Sequence, residues 1–349
     1  MPVSVVPLRT HRVVARWTWL LFALALPLRC ASPPRTPVAE PTAPFAFRPE
    51  APPTYAFSDG LRVATLNTEF MFDGFGEEGR ATFPHKGNPE KARAHRNRIG
   101  DIVRMLDADV VMLEEVENCR AMQLLVDESL AGMGYDVHFV QGNDRFTGQD
   151  VGLLSRVPVE KIGRTDERTN VGASDDTYGV SKNMYARLML GDVPTTIIGL
   201  HLLARPDDPD RKDRREAQAE VIRRLIAQET EAGRDVIVLG DFNDFDDQTL
   251  DIGDHRPITN VLERIKAAGP DPDDDLRNLI AEVPQIERFT SFYDRDQDGR
   301  VGPGELSAID HILLSPALYR RVREVVYVQA HDPTTHTDHF PIVVNLKMD

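Results

Sequence analysis

The stretch Asp235–Asp244, DVIVLGDFND, holds two properties that oppose each other. Its first part has the unbroken apolar density of a strand buried on both faces. Its end carries Asp241 and Asn243, and burying a carboxylate is costly unless a hydrogen bond, a counter-charge or a metal compensates it. The same conflict recurs along the chain. Asn67 ends LRVATLN (61–67), Glu115 lies near the end of ADVVMLEEV (108–116), His201 near the end of TTIIGLHLL (195–203), and Asp338 and His339 precede FPIVVNL. Taken singly, an Asp or Asn after a strand is usually a turn former or a helix cap. Taken together, acids, amides and histidines at the ends of strands that lie side by side form a polar cleft. Such a set is what metal-assisted phosphate hydrolysis requires.

Further strand-like runs are DVGLLS (150–155), MYARLML (184–190), IDHILLS (309–315), EVVYVQ (324–329) and PIVVNLK (341–347). Helical patterns are expected over 89–106, 119–131 and 209–231, where Val221, Ile222, Leu225 and Ile226 recur at helical spacing. This mixing predicts an α/β fold in which helices cover sheets. The strict alternation and Gly-rich phosphate turn of a dinucleotide-binding fold are missing.

In this order, LRVATLNTEF, ADVVMLEEV, HLLA, VIVLGDFND, AIDHILLS and HTDHFPIV resemble the endonuclease/exonuclease/phosphatase superfamily, the deoxyribonuclease I-like enzymes, from Leu61 to Lys347. The resemblance implies a four-layer α/β/β/α sandwich, two packed mixed sheets flanked by helices, with the active site at one edge. It implies Glu115 as the main ligand of Mg²⁺ or Mn²⁺, with Asn67 and Asp338 near the same ion and Glu69 a further ligand. Asp241 and Asn243 would position or deprotonate the attacking water and bind phosphate. His339, oriented by Asp310, would contact the scissile phosphate, and His201 would stabilise phosphoryl oxygens or protonate the leaving group. Thr337 stands where the family usually shows Ser, which keeps the hydroxyl. His311 stands where an aromatic is common, and strand alternation points it away from Asp310 as a structural residue. Lys182, Asn183 and Arg187, in SKNMYAR beside the expected cleft, are expected to grip phosphate. Asp150 is expected to be an exposed loop acid rather than a partner of His201.

Asp294 to Glu305, DRDQDGRVGPGE, has the spacing of an EF-hand-like calcium loop. Asp294, Asp296 and Asp298 fall at positions 1, 3 and 5, Gly299 at the sharp turn, the Arg300 carbonyl at position 7, and Glu305 at position 12. Strands rather than helices are expected on both sides, so the paired-helix opening of a sensor has no counterpart. A Ca²⁺ ion there is expected to order the approach to Asp310.

Residues 1–31 read as an export signal, with Arg9, Arg12 and Arg16 ahead of WTWLLFALALPL, a run too short for a bilayer span. A periplasmic or extracellular location follows, with lipid anchoring through Cys30 the minority alternative. Residues 32–58 read as a proline-rich linker, and 59–349 as one domain. Two cysteines are too few for a disulfide framework. The formal charge of −15 argues against a dedicated DNA-binding module, although carboxylates that hold a metal count as negative in that sum. The expected activity is metal-assisted water attack on phosphodiester bonds, with nucleic acid as substrate, no protein partner and a monomeric state. The alternatives are a phosphatase or phospholipase acting on a lipid or inositol headgroup, and a non-catalytic calcium module.

Overall fold

A computed structural model describes residues 59–348, apart from Ala268 and Pro270; the signal segment with Cys30 and the proline-rich linker lie outside the described residues. The chain runs β1 (Leu61–Met71), α1 (Pro89–Leu106), β2 (Val110–Val116), α2 (Cys119–Ser129), β3 (Asp136–Phe139), β4 (Asp150–Ser155), β5 (Val159–Gly163), β6 (Thr169–Asn170) and β7 (Thr177–Tyr178). It continues through β8 (Lys182–Leu190), β9 (Val193–His201), α3 (Lys212–Glu231), β10 (Asp235–Asp241), α4 (Val261–Lys266), β11 (Arg277–Asn278), β12 (Ser291–Phe292) and β13 (Leu306–Ser307). Last come β14 (Asp310–Leu314), α5 (Pro316–Tyr319), β15 (Val322–Tyr327) and β16 (Ile342–Leu346).

Two six-stranded mixed sheets result, ordered β15-β16-β1-β2-β4-β3 and β11-β14-β10-β9-β8-β5. Each has one parallel pair at its centre, β1 with β2 and β9 with β10, among antiparallel neighbours. A parallel pair needs a crossover, and α1 and α3 supply the two. The first crossover is well specified: Asn88 accepts from the Lys91 amide and Pro89 opens the helix.

Alternation along the strands sorts side chains into layers. Val63, Val110, Met112, Ile197, Ile237 and Ile312 pack between the sheets. Ala64, Leu66, Val111 and Leu113 meet α1 and α2 on one outer face, and Ile198, Leu200, Val236 and Leu313 meet α3 and α4 on the other. The four-layer sandwich of the sequence analysis is therefore the observed architecture. All nine expected strands are present with ends shifted by a few residues, whereas β3, β5 and the two-residue strands carry too few apolar residues to announce themselves.

Gly240 marks where the hydrophobic interior ends and the polar edge begins. Its φ is +129°, and a Cβ there would lie 2.1 Å from the Leu200 carbonyl oxygen on the neighbouring strand. Backbone cannot yield as a flexible side chain can, so Gly240→Ala is expected to cost about 3 kcal/mol of stability. Urea unfolding of the variant checks this, and a loss near zero would show that strand β9 shifts freely.

Candidate active site

The polar residues form one register row across the end of each sheet. In the second sheet Lys182 pairs with His201, His201 with Asp241, and Asp241 with Asp310. In the first, Asn67 pairs with Glu114. All face the partner sheet at the point where the apolar layer stops. Two hydrogen bonds cross between the sheets here. Asn67 Nδ2 donates to Asp241 Oδ2 at 3.1 Å, and His339 Nδ1 donates to Asp310 Oδ2 at 2.8 Å.

Backbone irregularity delivers the remaining groups. Glu69, Glu115 and Asn243 all have left-handed φ values, +45°, +60° and +48°. Strand alternation alone would send Glu115 to the helical face with Val111 and Leu113; the register shift between Glu114 and Val116 turns it into the cleft instead. The Phe70 amide donates to Glu115 Oε2 at 3.1 Å, and the Glu69 amide to Asn67 Oδ1 at 3.0 Å. The Asp338 amide donates to Glu69 Oε2 at 3.0 Å. The Thr337 hydroxyl donates to the Asn67 carbonyl at 2.8 Å and accepts from the His339 amide at 3.2 Å, so Thr does the bracing expected of Ser. Asn243 donates its amide N–H to Asp241 Oδ1 at 2.8 Å. Glu115, His201, Asp241, Asn243, Asp338 and His339 line one cleft of about 650 Å³.

The electrostatics divide this cluster in two. Burial opposes charge on His339, but Asp310, Asp338 and Asp241 together outweigh it, so its pKa lies well above the ordinary imidazole value. His201 is held well below that value by burial, with Lys182 and His339 adding repulsion, and is neutral. Its Nε2 lies 3.6 Å from Asp241 Oδ2 and 3.9 Å from Glu115 Oε1. Burial and the nearby Asp310 push Asp241 up to about 7. Burial and Asp338 push Glu69 up to about 8, and burial also raises Glu115 and Asp338.

Asp241, Asp310 and His339 offer ligand atoms within 4.8 Å of one another. That trio already holds its own cation, the imidazolium proton bonded to Asp310. Burial raises Glu69, Glu115 and Asp338, Asp338 adds repulsion to the other two, and the opposing charges of Lys182 and His339 offset this only in part. A hard divalent ion fits this donor set of carboxylates and an amide oxygen.

The structure brings together all nine residues assigned to the reaction centre, and of the three assigned to substrate it keeps Lys182 beside His201 and sets Asn183 and Arg187 apart. Asn183 is buried, with Nδ2 donating to the Thr165 and Val180 carbonyls and Oδ1 accepting from the Thr165 amide. Arg187 makes two bonds to Glu229 of α3, at 2.9 and 2.7 Å, on the helical face of its sheet. Both alternate with Met184 and Ala186, which face the other sheet, so they point away from the cleft. Lys182, in phase with Met184, is the residue of that segment beside His201. Asp150 is buried rather than exposed, and accepts at 2.8 Å from the Gly142 amide and from Gln141 Nε2. His311 is structural as expected: Nε2 lies 2.9 Å from the Asp244 carbonyl, and Nδ1 lies 3.1 Å from Asn278 Nδ2.

Glu114 is a further buried acid at this edge that the sequence motifs do not single out. Its Oε1 accepts from the Thr65 hydroxyl at 2.8 Å beneath the site, and burial, with Asp310 adding repulsion, raises its pKa well above the carboxylate range. Its phase with Val110 and Met112 was the available signal. Two further histidines brace the loops of the site. His95 on α1 bonds the Thr68 carbonyl at 2.6 Å, and His331 bonds the Thr337 carbonyl at 3.0 Å.

The model of the endonuclease/exonuclease/phosphatase family matches residues 64–339. The chain belongs to the endonuclease/exonuclease/phosphatase family. Members are phosphoesterase hydrolases that use divalent metal ions. Among solved structures, a 3′ phosphatase from Neisseria bound to a product DNA hairpin is similar at 16% identity and TM-score 0.56, over 82% of this chain and 99% of that one. An AP endonuclease from Archaeoglobus fulgidus is similar at 15% and 0.55, over 82% and 99%. An endonuclease/exonuclease/phosphatase protein from Bacteroides vulgatus is similar at 16% and 0.56, over 84% and 100%. At these identities the likeness is one of fold. A search of curated proteins returned no match. No helix among the described residues is long and apolar enough to cross a membrane.

The bracing histidines generate a pH dependence. Burial lowers His95 to about 3 and His331 to about 4. Unfolded imidazoles take up protons below about 6.5, whereas these two stay neutral in the fold. Their contribution is complete above about 6.5 and is lost as pH falls toward 4 and 3, because the unfolded state then binds more protons. His95→Gln keeps a donor for Thr68, and is expected to flatten the fall in melting temperature between pH 6.5 and 4. An unchanged slope would contradict this assignment.

Proposed function

We propose that the chain is an exported, divalent-metal-dependent nuclease that hydrolyses phosphodiester bonds by direct attack of water. The carrying observation is that Glu115, Asp338, His201, Asp241, Asn243 and His339 line one cleft, with Asp310 bonded to His339 and Glu69 bonded to the Asp338 amide behind them. A divalent ion held by Asn67, Glu69, Glu115 and Asp338 would neutralise charge developing on the phosphate. Asp241, raised to about 7 by burial and Asp310, suits a base working near neutral pH. It takes a proton from a water aligned with the help of Asn243. The imidazolium of His339 donates from Nε2 to a phosphoryl oxygen, and its ring is held in orientation by the Nδ1 bond to Asp310. Neutral His201 accompanies the phosphoryl oxygens and the departing alkoxide. The P–O bond breaks as the water oxygen bonds to phosphorus, the departing alkoxide takes a proton from solvent at the open side of the cleft, and Asp241 returns its proton to solvent.

Loop 294–305 would bind Ca²⁺. Asp294, Asp296 and Glu305 offer ligand atoms within 4.8 Å of one another. The loop joins β12 to β13, which pair antiparallel, and Ser291 of β12 bridges to His339 while the Phe292 amide donates to the Asp338 carbonyl at 2.8 Å. An ion there would act on the catalytic segment through β12, a shorter path than the approach to Asp310. Residues 1–31 would direct export to the periplasm or beyond.

Incubation of the purified protein with plasmid DNA, RNA, sphingomyelin and inositol phosphates, with Mg²⁺ or EDTA, tests the reading. Nucleic acid should be cleaved with Mg²⁺ alone, and Asp241→Ala and His339→Ala should each lower the rate by about 100-fold or more while the fold persists. Turnover confined to lipid or inositol phosphates would replace the nuclease reading. Glu305→Ala should abolish a Ca²⁺-dependent rise in melting temperature and lower activity together. Full activity with that loop empty would break the link through β12.

A further inference from the structure

A third imidazole faces the same cleft, outside the reaction centre. His255 lies in the loop after β10 and lines the cavity together with Arg205, Tyr293 and Arg295. Three contacts fix its ring. Nδ1 lies 2.8 Å from Asp251 Oδ2, the ring stacks on Phe245 with centroids 4.9 Å apart and planes at 13°, and Gly253 lies beneath it. A Cβ on Gly253 would sit 2.3 Å from His255 Cε1, so the ring occupies the space a side chain would need. Asp251 is buried, and its carboxylate also accepts from the Gly253, His255 and Ala308 amides at 3.0 Å each. With every surrounding group a donor, Asp251 accepts from Nδ1–H of His255, and Nε2 is the polar atom left to the ring.

The cations near it are also deliberately placed. Arg205 has φ +71°, a conformation a long side chain adopts only under constraint. The constraint is Arg215, which is fully buried and donates to the Arg205 and Pro206 carbonyls at 2.6 Å each, with Asp244 Oδ2 3.4 Å from its Nε. On the hairpin that closes the cleft, Tyr293 is 70% exposed, far more than a packed aromatic of this fold. An oriented imidazole, arginines and an exposed ring within one cavity match a phosphate with its attached base.

We propose that the Asp251–His255 pair and Arg205 form a second phosphate subsite, which holds a non-scissile phosphate of a polynucleotide strand while Tyr293 stacks on a base. The inference rests on the phosphodiesterase reading of the reaction centre and narrows its substrate to a chain with more than one phosphate. A phosphate oxygen accepts at Nε2 when that nitrogen carries a proton, while Asp251 holds Nδ1–H and so fixes the ring. His255 is thereby a substrate-binding residue that does not touch the reacting phosphorus.

The test compares kcat and KM on a single-stranded oligonucleotide and on bis(4-nitrophenyl) phosphate, which has one phosphate, for the parent, His255→Ala and His255→Gln. The parent's preference for the oligonucleotide should fall about tenfold or more in His255→Ala, the size of one charge-assisted hydrogen bond, and chiefly through KM. His255→Gln, which keeps a donor, should retain part of it. Equal losses on both substrates, or no loss on either, would overturn the subsite. Anisotropy of a labelled oligonucleotide in EDTA separates the two levels of the account. A parent that cleaves no nucleic acid, yet loses oligonucleotide affinity on His255→Ala, would refute the nuclease reading and keep the subsite. A parent that cleaves and binds without regard to His255 would refute the subsite alone. Dependence on His255 confined to inositol polyphosphates would overturn the polynucleotide assignment.

Discussion

Two hydrogen bonds between sheets, His339 to Asp310 and Asn67 to Asp241, hold the working end of this protein together. Elsewhere the sheets meet through apolar side chains, which are non-directional and tolerate small slides. At this edge the contacts are directional and involve buried charge, so displacement of one sheet would leave a carboxylate unpaired in a dry environment, a far greater cost than a lost van der Waals contact. The site therefore fixes the relative position of the sheets, and the sheets in turn fix the site. Gly240 belongs to the same constraint, since only a residue without Cβ lets β10 pass so near the Leu200 carbonyl and still present Asp241.

Charge is distributed so that each acid has a different task. Asp310 is matched to an imidazolium, Asp241 sits between that imidazolium and neutral His201, and Glu69, Glu115 and Asp338 crowd at the open side. Crowding of that kind destabilises the fold on its own and is relieved by a cation, which links folding at this edge to metal binding. The net charge of −15 counts these groups at full value and so overstates the repulsion a phosphate meets at the cleft.

Much of this was legible in the sequence, for a definable reason. A residue such as Asp241 or His201 at the end of an apolar strand contradicts its surroundings, and the contradiction survives without knowledge of the fold. The same logic fails where two candidates adjoin. Glu114 is buried and Glu115 partly exposed, and only the left-handed φ at Glu115 determines that it reaches the cleft while Glu114 lies beneath. Arg187 and Asn183 were assigned from proximity in sequence, and strand alternation sends both to the helical face, where Glu229 and Thr165 engage them. His255 and Asp251 lie in a loop with no periodicity to violate, so their pairing is visible only in three dimensions.

The central claim is that this edge is built around a divalent cation held by Asn67 and the carboxylates of Glu69, Glu115 and Asp338. Anomalous diffraction from crystals of the protein equilibrated with Mn²⁺ locates such an ion directly. The account predicts a peak among Asn67, Glu69, Glu115 and Asp338, distinct from any in loop 294–305. A peak between Asp241 and Asp310 with the His339 bond broken, or none in the cleft at saturating Mn²⁺, would contradict it.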